Sequence, residues 1–527
     1  RGVFMAKQPN FLFIITDQHR ADHLGCYGND IVRTPSIDSL ADHGIRYNRN
    51  YVANPVCMPN RASIMTGRMP SLHGVRHNGI PLSREHTTFV EVLRDAGYKT
   101  ALIGKSHLQG MTGMPPSITF AAENGLSAPS GPFQDAFKDQ RKGPEYELEV
   151  LPKWETPIAQ RMQEHFYGFE HLEIADDHAD RAGGDYLLWA RQQHPDFDSL
   201  VGPDNAIPDK RINAPQAWRT RVPEELYSTT YIADRTIAYL EAQASADKSF
   251  FIQMSFPDPH HPFTPPGKYW DMFNPDDMPL PASFGKGDLP PIKAMMEAMN
   301  NGSDPRDNQN PFAVSERETK EIIALTYGSI AMIDDAIGRV LTSLKQLNLD
   351  ENTVVIFTAD HGDYMGDHGI MLKLLLHYQG LVRIPLIWSE PGMKPQVNNS
   401  LTSTIDLSAS IMRRAGIQPF NGNQGRDLLA AESEGPECLL IEEDSQRPMI
   451  GFDKRQRLRT LVTERWRLTY RAGEPWGELY DLHNDPEENV NLWDDPAHKG
   501  QKNELTGALL RKIVDMQDQA PLPSYRA

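Results

Sequence analysis

The chain has 527 residues, of which 39% are hydrophobic and 24% are charged, the proportions of a folded globular protein. Its formal charge of −18 argues against a broad surface for nucleic acid or acidic membranes, so an anionic ligand would need locally concentrated positive charge. No apolar run approaches the roughly 20 residues that a membrane span needs, so no membrane partner is expected.

Four short apolar runs each end in polar residues. They are rich in Ile, Val and Phe and apolar on both faces, which is typical of buried parallel strands; the runs cover residues 11–16, 98–104, 249–256 and 353–359. Helical patterns lie between them, at 87–97 and 327–347. This alternation predicts an α/β fold with a large doubly wound, mostly parallel sheet flanked by helices. Ligands bind such sheets beyond the carboxyl ends of the strands, so the four polar clusters should meet at one edge.

Two regions differ from this pattern. Residues 108–230 are irregular and rich in Pro, Gly, Asp and His, and we interpret them as an insertion over the active-site edge with some helix. After about residue 434, short strand-like runs appear at 457–464 and 466–472. We therefore predict an α/β catalytic domain over residues 6–434, which carries the insertion, and a smaller C-terminal α+β domain over residues 435–527.

The segment "NPVCMPNRAS" (54–63) places Cys57 in a polar turn, where an inert buried cysteine is not expected. Pro59 suits the first position of a helix that would end at Gly67. Cys57 would then stand just before the helix N-terminus, with Arg61 in the first turn. Free backbone N–H groups, the helix dipole and the guanidinium would together make an anion-binding site.

The segment "CMPNR" resembles the C-x-P-x-R core of the sulfatases, a family of the alkaline phosphatase superfamily. Five further segments resemble motifs of that family in the same order along the chain. They are "IITDQHRAD" (14–22), "GYKTALIGKSHL" (97–108), "FPDPHHPF" (256–263), "TADHGDYMGDHG" (358–369) and "GELYDLHNDPEENVNL" (477–492). Six matches in order cover nearly the whole chain, apart from the insertion.

The resemblance implies a sulfuric ester hydrolase of the arylsulfatase type. Cys57 would be oxidised by a formylglycine-generating enzyme to formylglycine (3-oxoalanine), whose hydrated aldehyde is the nucleophile in the family. One divalent metal ion, Ca²⁺ or Mn²⁺, is implied, with the ligands Asp17, Gln18, Cys57, Asp360 and His361. The implied catalytic residues are Cys57, Arg61, Lys105, His107, His260 and Lys373. We assign His107 as the base that releases the sulfate, and His260 to the leaving-group side.

Two departures from the sulfatase pattern bear on the substrate. Gln18 stands where typical sulfatases carry a second Asp, and His361 where many carry Asn, and in both respects the site is similar to phosphonate monoester hydrolases. The segment "GKSHL" nevertheless keeps the sulfatase Lys and His. We therefore expect a small sulfate or phosphonate ester as substrate, with hydrolysis of phosphonate monoesters and phosphodiesters beside that of sulfate esters. A phosphonate monoester hydrolase or phosphodiesterase as the main activity stays open, and so does a binding protein with an unmodified cysteine.

Other expectations concern the compartment, the assembly and the remaining histidines. Three cysteines make no disulfide framework, and the first ten residues contain no apolar run long enough for a leader, so a cytoplasmic protein is expected. Homo-oligomers are frequent in the family, and one is expected here. His260 is preferred over His261 because of its position in the motif. Gln18 is either a metal ligand or a residue that supports the ligands without binding the metal. His77, His165 and His178 could line the substrate pocket, but for each of them we expect a surface position.

Overall fold

The computed structural model describes residues 8–116, 118–162, 164–431 and 435–526. The predicted domain limits at residues 6, 434 and 527 lie outside these described residues. Residues 1–7, which belong to the N-terminal segment considered for a leader, lie outside them as well. The described strands are β1 (Asn10–Thr16), β2 (Gly44–Tyr47), β3 (Asn50–Tyr51), β4 (Lys99–Gly104), β5 (His171–Ile174), β6 (Phe250–Phe256), β7 (Phe312–Ala313), β8 (Thr353–Ala359), β9 (Ile370–Met371), β10 (Leu386–Ser389), β11 (Gln396–Asn398), β12 (Thr402–Ser403), β13 (Cys438–Asp444), β14 (Arg457–Thr463), β15 (Trp466–Arg471) and β16 (Glu478–Asp481).

The α-helices lie mainly between these strands. They are α1 (Pro35–Asp42), α2 (Cys57–Thr66), α3 (Pro70–His73), α4 (Phe89–Asp95), α5 (Ile158–Arg161), α6 (Asp185–Gln193), α7 (Ser228–Gln243), α8 (Pro290–Asn301), α9 (Glu316–Gln346), α10 (Gln379–Val382), α11 (Asp406–Arg414) and α12 (Lys499–Asp515). Among the described residues, none of these helices is long and apolar enough to cross a membrane.

The central sheet has eight strands in the order β11-β2-β10-β8-β1-β6-β4-β5. Strands β5, β4, β6, β1 and β8 run parallel, and β10 is antiparallel to both of its neighbours. All four apolar runs that predicted strands form the middle of this sheet. The predicted α/β fold with a large, mostly parallel sheet is therefore confirmed.

The burial of β1 shows why these runs are apolar on both faces. Phe11, Phe13 and Ile15 pack in one apolar core with helices α2, α4 and α11, and Leu12 and Ile14 pack in a second core with α1, α7 and α9. Because successive side chains of a strand point to opposite faces, each face needs its own layer of helices. The doubly wound arrangement follows from this two-sided burial.

Two helices begin earlier than the sequence pattern indicates. Helix α9 starts at Glu316 rather than near residue 327, because Ser315 and Glu318 form a capping box at its N-terminus. Helix α2 starts at Cys57 itself, with Val56 as the N-cap residue, and ends before Gly67, which adopts a left-handed conformation. Cys57 is therefore the first residue of the helix rather than the residue before it.

The C-terminal sheet is a four-stranded antiparallel meander in the order β13-β14-β15-β16. The two predicted runs form β14 and β15, and Leu505 and Leu509 of α12 pack against the sheet. The smaller C-terminal α+β domain is confirmed as a unit of the fold. The region predicted to be an insertion also contributes to the main sheet, which was not expected, because its strand β5 pairs with β4.

Candidate active site

Polar side chains from four adjacent strands meet at the carboxyl edge of the central sheet. Asp17 follows β1 and Asp360 follows β8, and the two strands pair in register up to Thr16 and Ala359. Lys105 directly follows β4, and the segment after β6 leads to His260. Parallel strands end at the same edge, so the fold alone brings these four segments together.

Cys57 enters this cluster from the N-terminus of α2 and is 1% exposed. Its Sγ lies 3.0 Å from Lys373 Nζ, 3.1 Å from His361 Nε2 and 3.9 Å from Asp17 Oδ1. Burial and the Asp17 carboxylate act to raise the pKa of the thiol, but Lys373 and His361 outweigh them and hold it below its ordinary value. The surroundings of Cys57 therefore stabilise negative charge at its side chain.

Arg61 lies one helical turn after Cys57 and is buried beneath it. Its Nε donates to Asp360 Oδ2 at 2.8 Å, and its Nη2 lies 3.5 Å from Asp17 Oδ2. Its Nη1 donates to the Lys105 carbonyl at 3.1 Å and to Ser255 Oγ at 3.0 Å. The guanidinium thus connects the ends of β1, β4, β6 and β8.

Asp17, Cys57, Asp360 and His361 offer four ligand atoms that all lie within 4.8 Å of one another, on fully buried side chains. The Nδ1 of His361 lies 2.8 Å from the Gly362 carbonyl, to which it donates, so its Nε2 lone pair is directed toward the other three donors. Burial acts to lower the pKa of His361, but Asp360 and the Cys57 side chain together hold it above its ordinary value. This donor set of two carboxylates, an imidazole and a sulfur fits a divalent cation.

Gln18 stands beside this donor set in a left-handed backbone conformation, with φ of 60°. Its backbone N–H donates to Asp360 Oδ1 at 3.1 Å, and its side-chain amide donates to Asp363 and lies 3.2 Å from His261 Nδ1. The side-chain carbonyl oxygen of Gln18 is buried without a partner. An unpartnered buried oxygen is a further observation that fits a cation at this position.

Lys105 is fully buried between a carboxylate and an imidazole. Its Nζ lies 2.6 Å from Asp17 Oδ2 and 2.6 Å from His178 Nε2. The His178 ring stacks on that of His260, with centroids 3.5 Å apart and planes inclined by 14°. The expected surface position of His178 is wrong, because the turn after β5 carries this residue to the same sheet edge, where it is 6% exposed.

His107 is buried two residues after Lys105, with a left-handed φ of 55°. Its ring atom Nδ1 is buried and has no hydrogen-bond partner. Burial, together with the positive charges of Lys105 and Arg61, holds the pKa of His107 well below its ordinary value. The ring is therefore neutral at pH 7 and has a free nitrogen.

Lys373 reaches the cluster from the loop after β9. Its Nζ lies 2.9 Å from His260 Nε2 and 3.0 Å from His361 Nε2. The Nδ1 of His260 donates to the His261 carbonyl at 2.6 Å, so the Nε2 of His260 accepts from the lysine. Both candidates for the histidine motif are buried, and it is His260 that contacts Lys373.

The structure thus gathers the residues singled out in the sequence. Contacts join nine of them directly, namely Asp17, Gln18, Cys57, Arg61, Lys105, His260, Asp360, His361 and Lys373, with His107 two residues after Lys105. The sequence argument named His178 as a possible pocket residue but preferred a surface position for it. A signal for the site was present, since "HLEI" (171–174) alternates polar and apolar residues as a strand does and ends four residues before His178. Of the other two histidines, His165 is exposed and His77 is half-buried.

Comparison with known proteins gives the family. The model of the sulfatase family matches residues 9–417, and a model described as N-sulphoglucosamine sulphohydrolase, C-terminal, matches residues 366–517. An arylsulfatase of Clostridium perfringens is 27% identical over 97% of this chain and 95% of its own length. A multifunctional alkaline phosphatase superfamily protein of Trinickia caryophylli is 27% identical over 93% of this chain and 92% of its own.

Among solved structures, a phosphonate monoester hydrolase of Agrobacterium radiobacter superposes with a TM-score of 0.74 and 24% identity, over 97% of this chain and 96% of that one. This likeness shows the shared fold. The edge of this doubly wound sheet gathers a buried cysteine, carboxylates and cationic side chains, a set of groups that can bind a metal ion and an anion. The chain belongs to the sulfatase family of the alkaline phosphatase superfamily, and it is an ester-hydrolysing enzyme of that family.

Proposed function

We propose that the chain is a sulfuric ester hydrolase with a formylglycine nucleophile made from Cys57 and one divalent metal ion, and that it also hydrolyses phosphonate monoesters and phosphodiesters. The observation that carries this proposal is the position of Cys57. Its Sγ stands at a buried helix N-terminus, 3.0 Å from Lys373 Nζ and within 4.8 Å of three metal-ligand atoms. A side chain placed there meets both a cation site and the groups that bind an anion.

The maturation partner in this proposal is a formylglycine-generating enzyme. One hydroxyl of hydrated formylglycine would attack the sulfur and displace the alcohol of the ester. Deprotonation of the second hydroxyl would then break the C–O bond to the sulfate and restore the aldehyde. Lys373 and the first turn of α2 surround position 57 and favour negative charge on the oxygen that would replace the sulfur.

Asp17, Asp360, His361 and the unpartnered Gln18 oxygen would hold the metal ion. A bound divalent cation supplies Lewis-acid stabilisation of negative charge on the attacking oxygen and on the substrate. An imidazole in the ligand set favours Mn²⁺ over Ca²⁺, since Ca²⁺ prefers oxygen donors throughout.

Three cationic side chains would bind the substrate anion. Lys373 contacts Cys57, Lys105 pairs with Asp17 beside it, and Arg61 follows Cys57 by one helical turn. Their ammonium and guanidinium groups would neutralise the non-bridging oxygens of a sulfate or phosphonate ester and so allow a negatively charged nucleophile to approach it. Sulfate esters, phosphonate monoesters and phosphodiesters all carry one negative charge, so one site can serve the three classes.

His260 and His107 would move the protons. The Lys373 ammonium donates to His260 Nε2, which gives a path for a proton toward the leaving oxygen. His107 is neutral, and its free Nδ1 can accept a proton, which suits the base that releases the sulfate.

A panel of aryl esters on protein made with the maturing enzyme tests the proposal. We expect turnover of aryl sulfate together with measurable turnover of aryl phosphonate and phosphodiester, and mass spectrometry should show an aldehyde at position 57. Cys57→Ala should abolish turnover of all three esters, whereas Cys438→Ala, at the start of β13, should retain it. An unmodified thiol in wild-type protein that hydrolyses none of the esters would refute the proposal and indicate a binding protein.

The metal is tested by a readout that does not depend on turnover. Adding Mn²⁺ to chelator-treated protein should raise its melting temperature, because a ligand that binds only the folded state at 100 times its Kd stabilises that state by about 2.7 kcal/mol. Asp360→Asn should abolish most of this shift, and Asp95→Asn, at an exposed position on α4, should leave it unchanged. An equal shift in all three proteins would contradict a metal site at Asp360.

Phosphonate or phosphodiester hydrolysis as the main activity is the second candidate. It is favoured by Gln18, which replaces a carboxylate in the ligand set by a neutral amide, and by the relative whose name describes a multifunctional protein of the superfamily. The ratio of kcat/KM for aryl phosphonate to that for aryl sulfate decides between the two. A ratio above one favours the second candidate.

The assembly and the domain division are also part of the proposal. Leu522 and Tyr525, near the C-terminus, are 66% and 91% exposed, which supports a C-terminal arm that contacts another copy in a homo-oligomer. Light scattering after size-exclusion chromatography measures the oligomeric state. The division at residues 434 and 435 is supported by β13, which begins the C-terminal sheet at Cys438.

A further inference from the structure

The loop that carries Lys373 has an unfavourable backbone conformation. Leu372, Leu374 and Leu375 have φ values of 72°, 98° and 67°, in the left-handed region that side chains other than glycine rarely adopt. Three such leucines around one lysine persist only where surrounding contacts enforce them, and strain of this kind concentrates at functional sites. The lysine between them is the one that contacts Cys57, His260 and His361.

Carboxylates hold this loop on both sides of Lys373. Before the lysine, Asp363 Oδ1 accepts from the Leu372 N–H at 3.0 Å. After it, both oxygens of Glu443 accept from the Leu375 N–H, at 2.9 and 3.1 Å. Charge-assisted hydrogen bonds of this kind are stronger than neutral ones, so they are suited to hold a strained segment.

Glu443 does not belong to the loop or to the central sheet. It lies on β13 of the C-terminal sheet, is 1% exposed, and also pairs with His377 Nε2 at 2.9 Å. The other nitrogen of His377 is fixed by Thr460 Oγ1 of β14 at 2.7 Å. Arg471 of β15 adds a hydrogen bond of 2.6 Å from its Nη2 to the Leu375 carbonyl. Residues of three strands of the C-terminal sheet therefore form hydrogen bonds to one turn of the loop.

We propose that Glu443 is a positioning residue for catalysis, which holds the Lys373 ammonium at the reacting group through the Leu375 backbone and His377. This inference rests on the proposed function, in which Lys373 binds the ester anion. Glu443 makes no contact with the anion site itself and acts only through the loop. The C-terminal sheet is thereby a working part of the active site.

The test uses matured full-length protein and the variants Glu443→Gln and Glu443→Asp. The first keeps the shape but loses the charge, and the second keeps the charge but withdraws the carboxylate from Leu375. We expect kcat on aryl sulfate to fall about 10- to 100-fold in both, with a smaller change in KM, because displacement of a catalytic group costs rate more than binding. Glu442→Gln is the matched control, since Glu442 is also buried on β13 but its carboxylate accepts from Ser71 instead; its kcat should stay within about twofold of wild type.

A double-mutant cycle separates positioning from general stability. In a Lys373→Ala background, Glu443→Gln should cause little further loss of kcat, because the group that it positions is already absent. Hydrogen exchange of the peptide covering residues 372–377 gives a readout without substrate, and it should be faster in Glu443→Gln but not in Glu442→Gln.

Several outcomes would overturn the inference. These are folded Glu443 variants with wild-type kcat, a loss that is additive with Lys373→Ala, unchanged hydrogen exchange of the loop, or failure of both Glu443 variants to fold, which would make Glu443 a stability residue. Failure of the proposed function would give a different result. The wild-type protein would turn over none of the esters, while hydrogen exchange of residues 372–377 would still be faster in Glu443→Gln than in wild type.

Discussion

At the scale of single residues, pairing between charged side chains fixes the positions of the two lysines at the candidate active site. Lys105 is held between Asp17 and His178, and Lys373 between Cys57, His260 and His361. Asp17 keeps a pKa well below its ordinary value despite its burial, because Lys105, Lys373 and Arg61 surround it. Buried charges without such partners would be strongly destabilising, so each group depends on the others.

His178 provides a prediction at this scale. Its Nε2 accepts from Lys105, and its ring supports His260 by stacking. We expect His178→Ala to lower kcat on aryl sulfate about 10- to 100-fold, since loss of a residue that orients a catalytic group costs this much. His178→Gln should recover part of the rate, because its amide oxygen can accept from the lysine.

His165→Ala is the control for this prediction, because His165 lies in the same insertion but is exposed. Its kcat should match that of the wild type. A His178→Ala enzyme with a rate within twofold of wild type would show that the Lys105 ammonium needs no support from the insertion.

The extent to which these residues were predictable differs between strands and loops. Asp17 and Asp360 follow strands whose apolar residues are continuous, so their place at the sheet edge could be derived from periodicity alone. His178 follows the four-residue strand β5, too short to stand out in an irregular region. The hydrogen bond from the Leu375 N–H to Glu443 joins residues that are 68 positions apart in the chain, so no local sequence pattern predicts it.

At the scale of elements, a second pair of carboxyl groups holds the segment after β4. Asp176 Oδ1 accepts from the Ser106 N–H at 3.0 Å, and Glu149 accepts from the Gln109 N–H. Both acids come from the insertion and are fully buried. Burial raises the pKa of Asp176 to about 6, although Lys105 and the Ser106 N–H oppose it. Burial and the neighbouring Asp176 raise the pKa of Glu149 well above its ordinary value.

This pair predicts a pH dependence of stability. A pKa raised in the folded state means that the folded chain binds the proton more tightly, so this contribution is complete below pH 3.8 and is lost as the pH rises through about 6. The side chain of Asp176→Asn is neutral at every pH, so the variant lacks this contribution and its loss, while Glu149 still titrates in both proteins. Relative to wild type, the free energy of unfolding of this variant should therefore rise by about 2 kcal/mol between pH 4 and pH 7.

Urea unfolding at several pH values measures this difference. Asp95→Asn serves as the control, since Asp95 is exposed, and its difference from wild type should not change with pH. A pH-independent difference for Asp176→Asn would show that Asp176 carries the same charge in the folded and unfolded chain.

At the scale of the whole molecule, the site belongs to no single segment. Cys57 and Asp17 come from the start of the chain, His178 from the insertion, and Lys373 is held by the C-terminal sheet. The order of strands in the sheet, with β1 between β6 and β8, brings these distant stretches together. The domain limits at residues 6 and 434 stay a prediction.

The burial of position 57 predicts the order of maturation and folding. Cys57 is 1% exposed and its first helical turn is packed in the core, so a modifying enzyme cannot reach the thiol in the finished fold. We expect that folded protein made without the maturing enzyme is not converted when that enzyme is added later. An unfolded peptide covering residues 50–70 should be converted under the same conditions.

Mass spectrometry of position 57 reads both reactions. Conversion of the folded protein at the rate of the peptide would contradict the prediction and would require an opening of the structure around α2. A destabilised variant such as Leu407→Ala, which creates a cavity in the core beside α2, should be converted faster than wild type if opening is the route.

The distance along the chain between Cys57 and Lys373 determines how long Cys57 exists before Lys373 is synthesised. The two residues are 316 positions apart, and a ribosome that adds about 5 to 20 residues per second needs about 15 to 60 seconds to travel between them. During that interval the cysteine has been synthesised while the lysine beside it has not. If Cys57 is matured as proposed, the thiol has its longest access to the maturing enzyme while the chain is still growing, and slower synthesis should then increase the fraction of converted molecules.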